Sequence, residues 1–314
     1  MSENPGLPAA HDPAALPPCA VIGLGSMGFG MARSLLQAGF PVTGFDISAD
    51  ARRRFADCGG STAATPAEAA RGAAIVVSVV VNAAQTEATL FGDEGCAHTM
   101  QAGSVFVACA TMAPEVVRAL AGRLQAMGPL YLDAPMSGGA AKAAEGKLTM
   151  LASGSAAAFA AARPALNAMT ATLYELGEEP GQGAAFKMVN QLLAGVHIAA
   201  AAEAMAFAAR QNLDLQKVYD VITQSAGNSW MFENRMEHVL AGDYAPKSAV
   251  SIFTKDLGIV LDMARGANFP VPLASNALQM FLMTAAAGMA ADDDASVTRL
   301  YARLAGLTLP GEPA

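Results

Sequence analysis

The sequence predicts an α/β domain on a doubly wound, mostly parallel sheet, followed by an all-helical domain. Three observations carry this reading. Short apolar runs alternate with helical stretches from residue 19 to about residue 177. A G-x-G-x-x-G turn, Gly23-Leu24-Gly25-Ser26-Met27-Gly28, lies between the first run and the first helical stretch. Beyond Glu178-Glu179-Pro180-Gly181 the pattern becomes almost wholly helical. Strand candidates separated by helix-length segments favour parallel pairing with helices on both faces. At 314 residues the chain is also long enough for two domains.

Residues 1–18 hold Pro5, Pro8, Pro13, Pro17 and Pro18 and lack the basic start and apolar run of a signal peptide. They are expected to be a disordered tail. Cys19–Ile22 reads as a strand, 27–38 as a helix closed by Gly39, and 41–45 as a second strand. The runs 75–81, 104–108 and Leu130–Asp133 are further strands. The run 149–153, with an Ala-rich helix to Met169, is expected to extend the same domain. A helical domain then spans 178–303, punctuated at Gly227-Asn228, Gly242-Asp243, Pro246 and Pro270-Val271-Pro272. The segment 304–314 reads as a C-terminal tail that frays from Leu307 onward.

Composition narrows the function. A net charge of −8 argues against a nucleic-acid binder, which needs a basic face. Hydrophobic residues at 53% and charged residues at 15% exclude a disordered chain. Cys19, Cys58, Cys96 and Cys109 form no C-x-x-C pair, and His11, His98, His197 and His238 form no metal motif. No metal is expected, and the cytoplasm is the default location. The apolar stretch 184–209 carries Lys187, Asn190, Gln191, His197 and Glu203, which favours a buried helix over a membrane span. The Ala-rich helical domain has more apolar surface than a small bundle covers, so a homodimer or homotetramer is expected.

The glycine turn has specific physics. Gly23 allows the tight turn, Gly25 lets backbone N–H groups approach a pyrophosphate, and Gly28 lets helix and strand pack closely. Asp46 ends the second strand 23 positions after Gly23, where a carboxylate accepts both ribose hydroxyls. It repels a 2′-phosphate, which favours NAD over NADP. Arg52-Arg53-Arg54 reads as a solvated helix face, and it would weaken that preference if one arginine reached back.

Two further segments bear chemistry. Asp133-Ala134-Pro135-Met136-Ser137-Gly138-Gly139 exposes backbone N–H groups and the Ser137 hydroxyl, a cradle for a carboxylate. Read alone, it serves equally as an ordinary strand-to-helix loop. Gly181-Gln182-Gly183-Ala184-Ala185-Phe186-Lys187-Met188-Val189-Asn190 sets Lys187 and Asn190 three apart on one helix face. A desolvated Lys facing a cofactor is a suitable proton acceptor for an alcohol. A snorkelling Lys is the plainer alternative.

These segments, with Lys255-Asp256-Leu257, resemble in content and order the four signatures of the β-hydroxyacid dehydrogenases. That family includes 3-hydroxyisobutyrate dehydrogenase and tartronate semialdehyde reductase. The resemblance covers roughly residues 19–303. It implies a Rossmann domain, a long interdomain helix and an all-α domain. It implies Lys187 as the catalytic residue, with Ser137, Gly138, Gly139 and Asn190 on the substrate. Lys255 would close over the cofactor. Thr111 sits where the family places a residue near the nicotinamide. Val80 and Val81 occupy its cofactor loop without the usual Leu-Pro, and Met136 replaces the commoner Val. The stretches 79–87 and 227–235 look like the branch that oxidises the 2-hydroxyl of L-threonate with NAD. There Trp230 and Phe232 would wall the pocket, with core packing as the alternative. The rival functions are oxidation of 3-hydroxyisobutyrate, reduction of tartronate semialdehyde, and a non-catalytic dinucleotide sensor.

Overall fold

The computed structural model describes residues 16–311. Most of the expected N-terminal tail, with His11, and the last three residues lie outside the described residues. In the first half the elements are β1 (Cys19–Ile22), α1 (Ser26–Gln37), β2 (Val42–Phe45), α2 (Ala49–Asp57), β3 (Ser61–Thr62), α3 (Pro66–Ala70), β4 (Ile75–Ser78), α4 (Ala83–Phe91), β5 (Val105–Ala108), α5 (Pro114–Gln125) and β6 (Leu130–Asp133). Next come β7 (Met136–Ser137), α6 (Gly139–Ala144), β8 (Leu148–Ala152), α7 (Ala156–Met169) and β9 (Thr170–Glu175). The helical half holds α8 (Gln182–Arg210), α9 (Leu215–Ile222), α10 (Trp230–Ala241), α11 (Val250–Gly266), α12 (Pro272–Thr284) and α13 (Val297–Ala305).

Six strands pair in parallel in the order β3-β2-β1-β4-β5-β6. This is the doubly wound order, with its reversal between β1 and β4. The period-2 pattern splits the core across the sheet. Val21, Val77 and Val107 face α1 and α7 with Met31, Leu35, Phe159 and Leu166. Ile22, Val76 and Phe106 face the other layer with Val117, Leu120 and Leu124 of α5. Both faces are buried, which is why these strands read as continuous apolar runs rather than alternating ones.

The run 149–153 forms β8, which pairs with β7 and β9 in a separate three-stranded sheet, tied to the main one by a bridge between Asp133 and Ser153. Two expectations need correction. The tail does not run to residue 18, because the Pro18 carbonyl accepts the Ala74 N–H at 2.9 Å. The C-terminal segment does not simply fray, since Leu309 is buried and the Pro310 carbonyl accepts the Tyr244 hydroxyl at 3.4 Å. Apolar burial and one satisfied carbonyl are enough to hold such a segment down.

The 29-residue helix α8 is long and apolar enough to cross a membrane, yet half of its most apolar window is buried within the chain. It packs on α11 and α12 through Met188, Ile198 and Ala202 against Phe253, Leu257 and Phe281. Gly195 permits the closest approach, for a Cβ there would stand 2.9 Å from Leu257 Cδ1. The entry to α11 is fixed by buried Asp293, which accepts the Lys247 N–H at 3.0 Å and pairs with His238 Nδ1 at 3.0 Å. Arg235 clamps the neighbouring Asp294 at 2.5 and 3.1 Å. Together these contacts orient the segment of α11 that carries Lys255.

Candidate active site

The glycine turn joins β1 to α1 at the carboxyl edge of the sheet, beside the point where strand order reverses. Gly23 has φ +94°, and a Cβ there would meet the Val79 carbonyl oxygen at 2.5 Å. A Cβ on Gly28 would stand 1.8 Å from the Gly23 carbonyl oxygen. A Cβ on Gly25 would meet nothing within 4 Å, so that glycine borders open space. Gly25 also caps α1 without a side-chain acceptor, while Ser26 and Met27 begin the first turn. Free N–H groups at a helix start, next to open space, fit a phosphate.

Asp46, at the end of β2, accepts the buried Leu24 N–H at 2.7 Å and the Ser48 N–H at 2.8 Å. It therefore ties the second strand to the glycine turn. The arginine run is not uniformly a solvated face. Arg53 and Arg54 pair with Asp50, but Arg52 reaches back and donates to the Asp46 carbonyl. Val80 and Val81 leave the sheet after β4, with the Val81 N–H donating to Gln85 Oε1 at 2.8 Å.

The start of α8 explains its glycine spacing. Gly181 adopts φ +101° and carries no cap of its own. Asp133, at the end of β6, supplies one from 48 and 51 residues away. Its Oδ2 accepts the N–H groups of Gly181 at 3.0 Å and Ala184 at 2.8 Å. Ser153 donates to the same oxygen at 3.2 Å and accepts the Gly183 N–H at 2.9 Å. A Cβ on Gly183 would stand 2.2 Å from the Leu151 carbonyl oxygen. Burial pushes the Asp133 carboxyl up to about 6, while these hydrogen bonds pull the other way.

Lys187 follows within the next turn and is only 7% exposed. Burial lowers its pKa to about 8; Asp256 opposes the shift and Lys255 reinforces it. A polar chain runs beside it. Asn190 Nδ2 donates to Gln191 Oε1 at 2.9 Å, and Gln191 Nε2 donates to Asp256 Oδ2 at 2.6 Å. Asp256 pairs with Lys255, whose Nζ donates to the Thr111 carbonyl at 3.3 Å. The helical half thereby contacts the loop after β5. An amine that loses its proton near neutral pH, held by such a frame, can act as a general base and acid.

Ser137 ends β7, paired with Thr149 of β8. Gly138 and Gly139 follow with φ +139° and +75°, values that only glycine adopts cheaply. The turn leaves these three residues partly or fully exposed.

The structure links Asn190, Lys255 and Thr111 through this chain of contacts, and Lys187 feels the charges of Asp256 and Lys255 within it. It does not bring Trp230 and Phe232 to them within one chain. Phe232 is buried, stacks on Tyr219 with ring centroids 6.0 Å apart, and belongs to a cluster with Ala201 and Met205 of α8. Ala201 lies 14 residues beyond Lys187, about 21 Å along the helix. Phe232 is thus a core residue of its own chain. Trp230, at the start of α10, is 57% exposed. The sequence reading missed Asp133, Ser153, Gln191 and Asp256 as functional residues. Asp133 and Asp256 stood inside quoted signatures, and a carboxylate in an apolar run was the available signal.

Comparison with known proteins follows the same division. Residues 18–177 match the family model of the NAD-binding domain of 6-phosphogluconate dehydrogenase. Residues 181–301 match that described as NAD-binding of NADP-dependent 3-hydroxyisobutyrate dehydrogenase. The chain is 53% identical to the L-threonate dehydrogenase of Cupriavidus necator, over 93% of this chain and 97% of that one. It is 49% identical to the L-threonate dehydrogenase of Pectobacterium atrosepticum, over 93% and 95%.

The chain belongs to the β-hydroxyacid dehydrogenase family.

Its architecture is that of the family. A solved 3-hydroxyisobutyrate dehydrogenase from Salmonella typhimurium superposes with a TM-score of 0.86 at 48% identity, covering 90% of this chain and 99% of that one. As a β-hydroxyacid dehydrogenase the chain is an NAD-binding oxidoreductase.

Proposed function

We propose that the chain oxidises the 2-hydroxyl of L-threonate, or of a similar four-carbon sugar acid, to the 2-oxo acid with NAD. The observation that carries the chemistry is the buried amine of Lys187 with its pKa lowered to about 8. The relatives named L-threonate dehydrogenase support the substrate class. Bound nicotinamide supplies the hydride acceptor. Lys187 Nζ takes the hydroxyl proton in oxidation and returns it in reduction, while Asn190 fixes the reacting oxygen. Ser137, Gly138 and Gly139 hold the substrate carboxylate. Gly23 to Gly28 hold the pyrophosphate, Asp46 the adenosine ribose, and Val80, Val81, Thr111 and Lys255 border the cofactor.

Asp46 supports NAD over NADP, a preference that Arg52, reaching back to the Asp46 carbonyl, weakens. We assign residues 19–177 to the nucleotide and 178–303 to substrate and assembly. The chain works as a homo-oligomer, and four free thiols among the described residues, three of them buried, suit the cytoplasm.

The test is NAD reduction across threonate and erythronate stereoisomers, glycerate and 3-hydroxyisobutyrate. Highest kcat/KM on L-threonate is expected. Preference for 3-hydroxyisobutyrate would overturn the substrate assignment, and NAD binding with no turnover would restore the sensor reading.

A further inference from the structure

The turn assigned to the substrate carboxylate carries no charge of its own. Gly138 and Gly139 lack side chains, and Ser137 offers a neutral hydroxyl. The chain as a whole is acidic, with a net charge of −8, so an anionic substrate approaches against the overall field. The two lysines of the cleft supply no fixed countercharge. Lys255 is paired with Asp256. Lys187 must be neutral to accept the hydroxyl proton, and burial brings its pKa down to about 8. The form that oxidises thus holds one neutral amine and one ammonium already matched by a carboxylate.

Lys142 differs from both. It lies on α6, four residues after Gly138, and is exposed. Its stem fills the space that a side chain at 138 would need. A Cβ on Gly138 would stand 3.1 Å from both Cβ and Cδ of Lys142. Gly138 is therefore required twice, by its φ of +139° and by the close passage of this lysine. Helical side chains lean toward the start of their helix, which here leads back along the turn of Ser137, Gly138 and Gly139. The ammonium has no carboxylate to itself. Glu145 is held by Lys147 at 3.0 Å, and Lys142 enters no ion pair among the described residues. The base of the side chain is firmly seated. The Ala143 carbonyl accepts the Ser34 hydroxyl at 3.0 Å, and a Cβ on Gly30 would stand 3.0 Å from Ala143 Cβ, so α6 is pressed onto α1. A stem already laid against Gly138 loses little freedom when its ammonium meets an anion.

We propose that Lys142 is the fixed countercharge of the substrate carboxylate, and that it sets the preference of this site for hydroxy acids over their uncharged analogues. This rests on the hydroxyacid oxidation proposed above. It adds a residue that lies beyond the Asp133–Gly139 signature.

The test compares wild type with Lys142→Gln and Lys142→Arg, substitutions at an exposed position. On L-threonate with NAD, the Gln variant should raise KM about tenfold, the worth of one charge-assisted hydrogen bond. The loss should fall on KM rather than kcat and leave the coenzyme KM alone. The Arg variant should return KM to within about threefold of wild type. L-Threonamide, the uncharged analogue, should be indifferent to both substitutions. Added KCl should lower wild-type kcat/KM on the acid more steeply than that of the Gln variant. An unchanged KM on L-threonate, an equal loss on the amide, or a loss falling on the coenzyme would overturn the proposal. Oxamate, an unreactive mimic of a 2-oxo acid, gives a readout without turnover, through quenching of bound NADH fluorescence. The Gln variant should bind it about tenfold more weakly, and equal binding by the two proteins would also overturn the proposal. Weakened oxamate binding in a protein whose wild type turns over no acid would fault the oxidation reading and leave the role of Lys142 standing.

Discussion

Asp133 and Ala184 are joined by a 2.8 Å hydrogen bond, from the first turn of the interdomain helix to the last residue of β6. One carboxylate thus fixes where α8 begins, and with it the height at which Lys187 enters the cleft. Asp133→Ala removes the acceptor of two buried N–H groups. It should cost about 3 kcal/mol of stability in denaturant titration. Asp133→Asn keeps an accepting oxygen and should cost less. Because the folded carboxyl titrates near 6 against an ordinary 3.8, native stability should fall as pH rises between those values. The Asn variant should lose that slope.

The amine of Lys187 sets the pH dependence. With its pKa near 8, its neutral form grows as pH rises through that value. Oxidation should therefore accelerate with pH and level off above about 8, while reduction should slow over the same range. Lys187→Ala should lower kcat by about a thousandfold or more in both directions and leave NAD binding intact. Initial rates across pH and a coenzyme titration check both halves.

Asp256 raises the affinity of Lys187 for its proton, opposing burial. Asp256→Asn removes that anion, so the inflection in the pH–rate profile should move to lower pH. The pair with Lys255 is lost as well, and the coenzyme KM should rise. An inflection that stays in place would show that Asp256 does not act on the amine.

Coenzyme choice is expected to lie with Asp46. Asp46→Ser removes the charge that repels a 2′-phosphate. The ratio of kcat/KM for NADP over NAD should rise at least tenfold, about 1.4 kcal/mol. Some stability should be lost too, because the carboxylate also holds the Leu24 and Ser48 N–H groups. Steady-state kinetics with both coenzymes gives the ratio directly.

The sheet was legible because both its faces are buried, so strands such as Ile75–Ser78 stand out as unbroken β-branched runs. The second sheet was not, since Thr170–Glu175 alternates weakly and lies largely exposed. The glycine signatures were legible as motifs, but their causes were not. That Gly183 is required by the Leu151 carbonyl, or that Asp133 caps a helix 48 residues away, depends on contacts distant in sequence. Trp230 was expected to wall the pocket, yet it stands 57% exposed at the start of α10. Helical periodicity marks a face without naming what covers it.

The anchoring of α8 to β6 also decides which parts of the molecule are held together. The proton-carrying amine is moored to the sheet and travels with the nucleotide half. The reach of Lys255 to the Thr111 carbonyl, 3.3 Å long, is a part-buried contact between α11 and the loop after β5. Because α11 is packed on α8 through Phe253 and Leu257 and tied to it by the Gln191–Asp256 hydrogen bond, both lysines of the cleft ride on one packed unit.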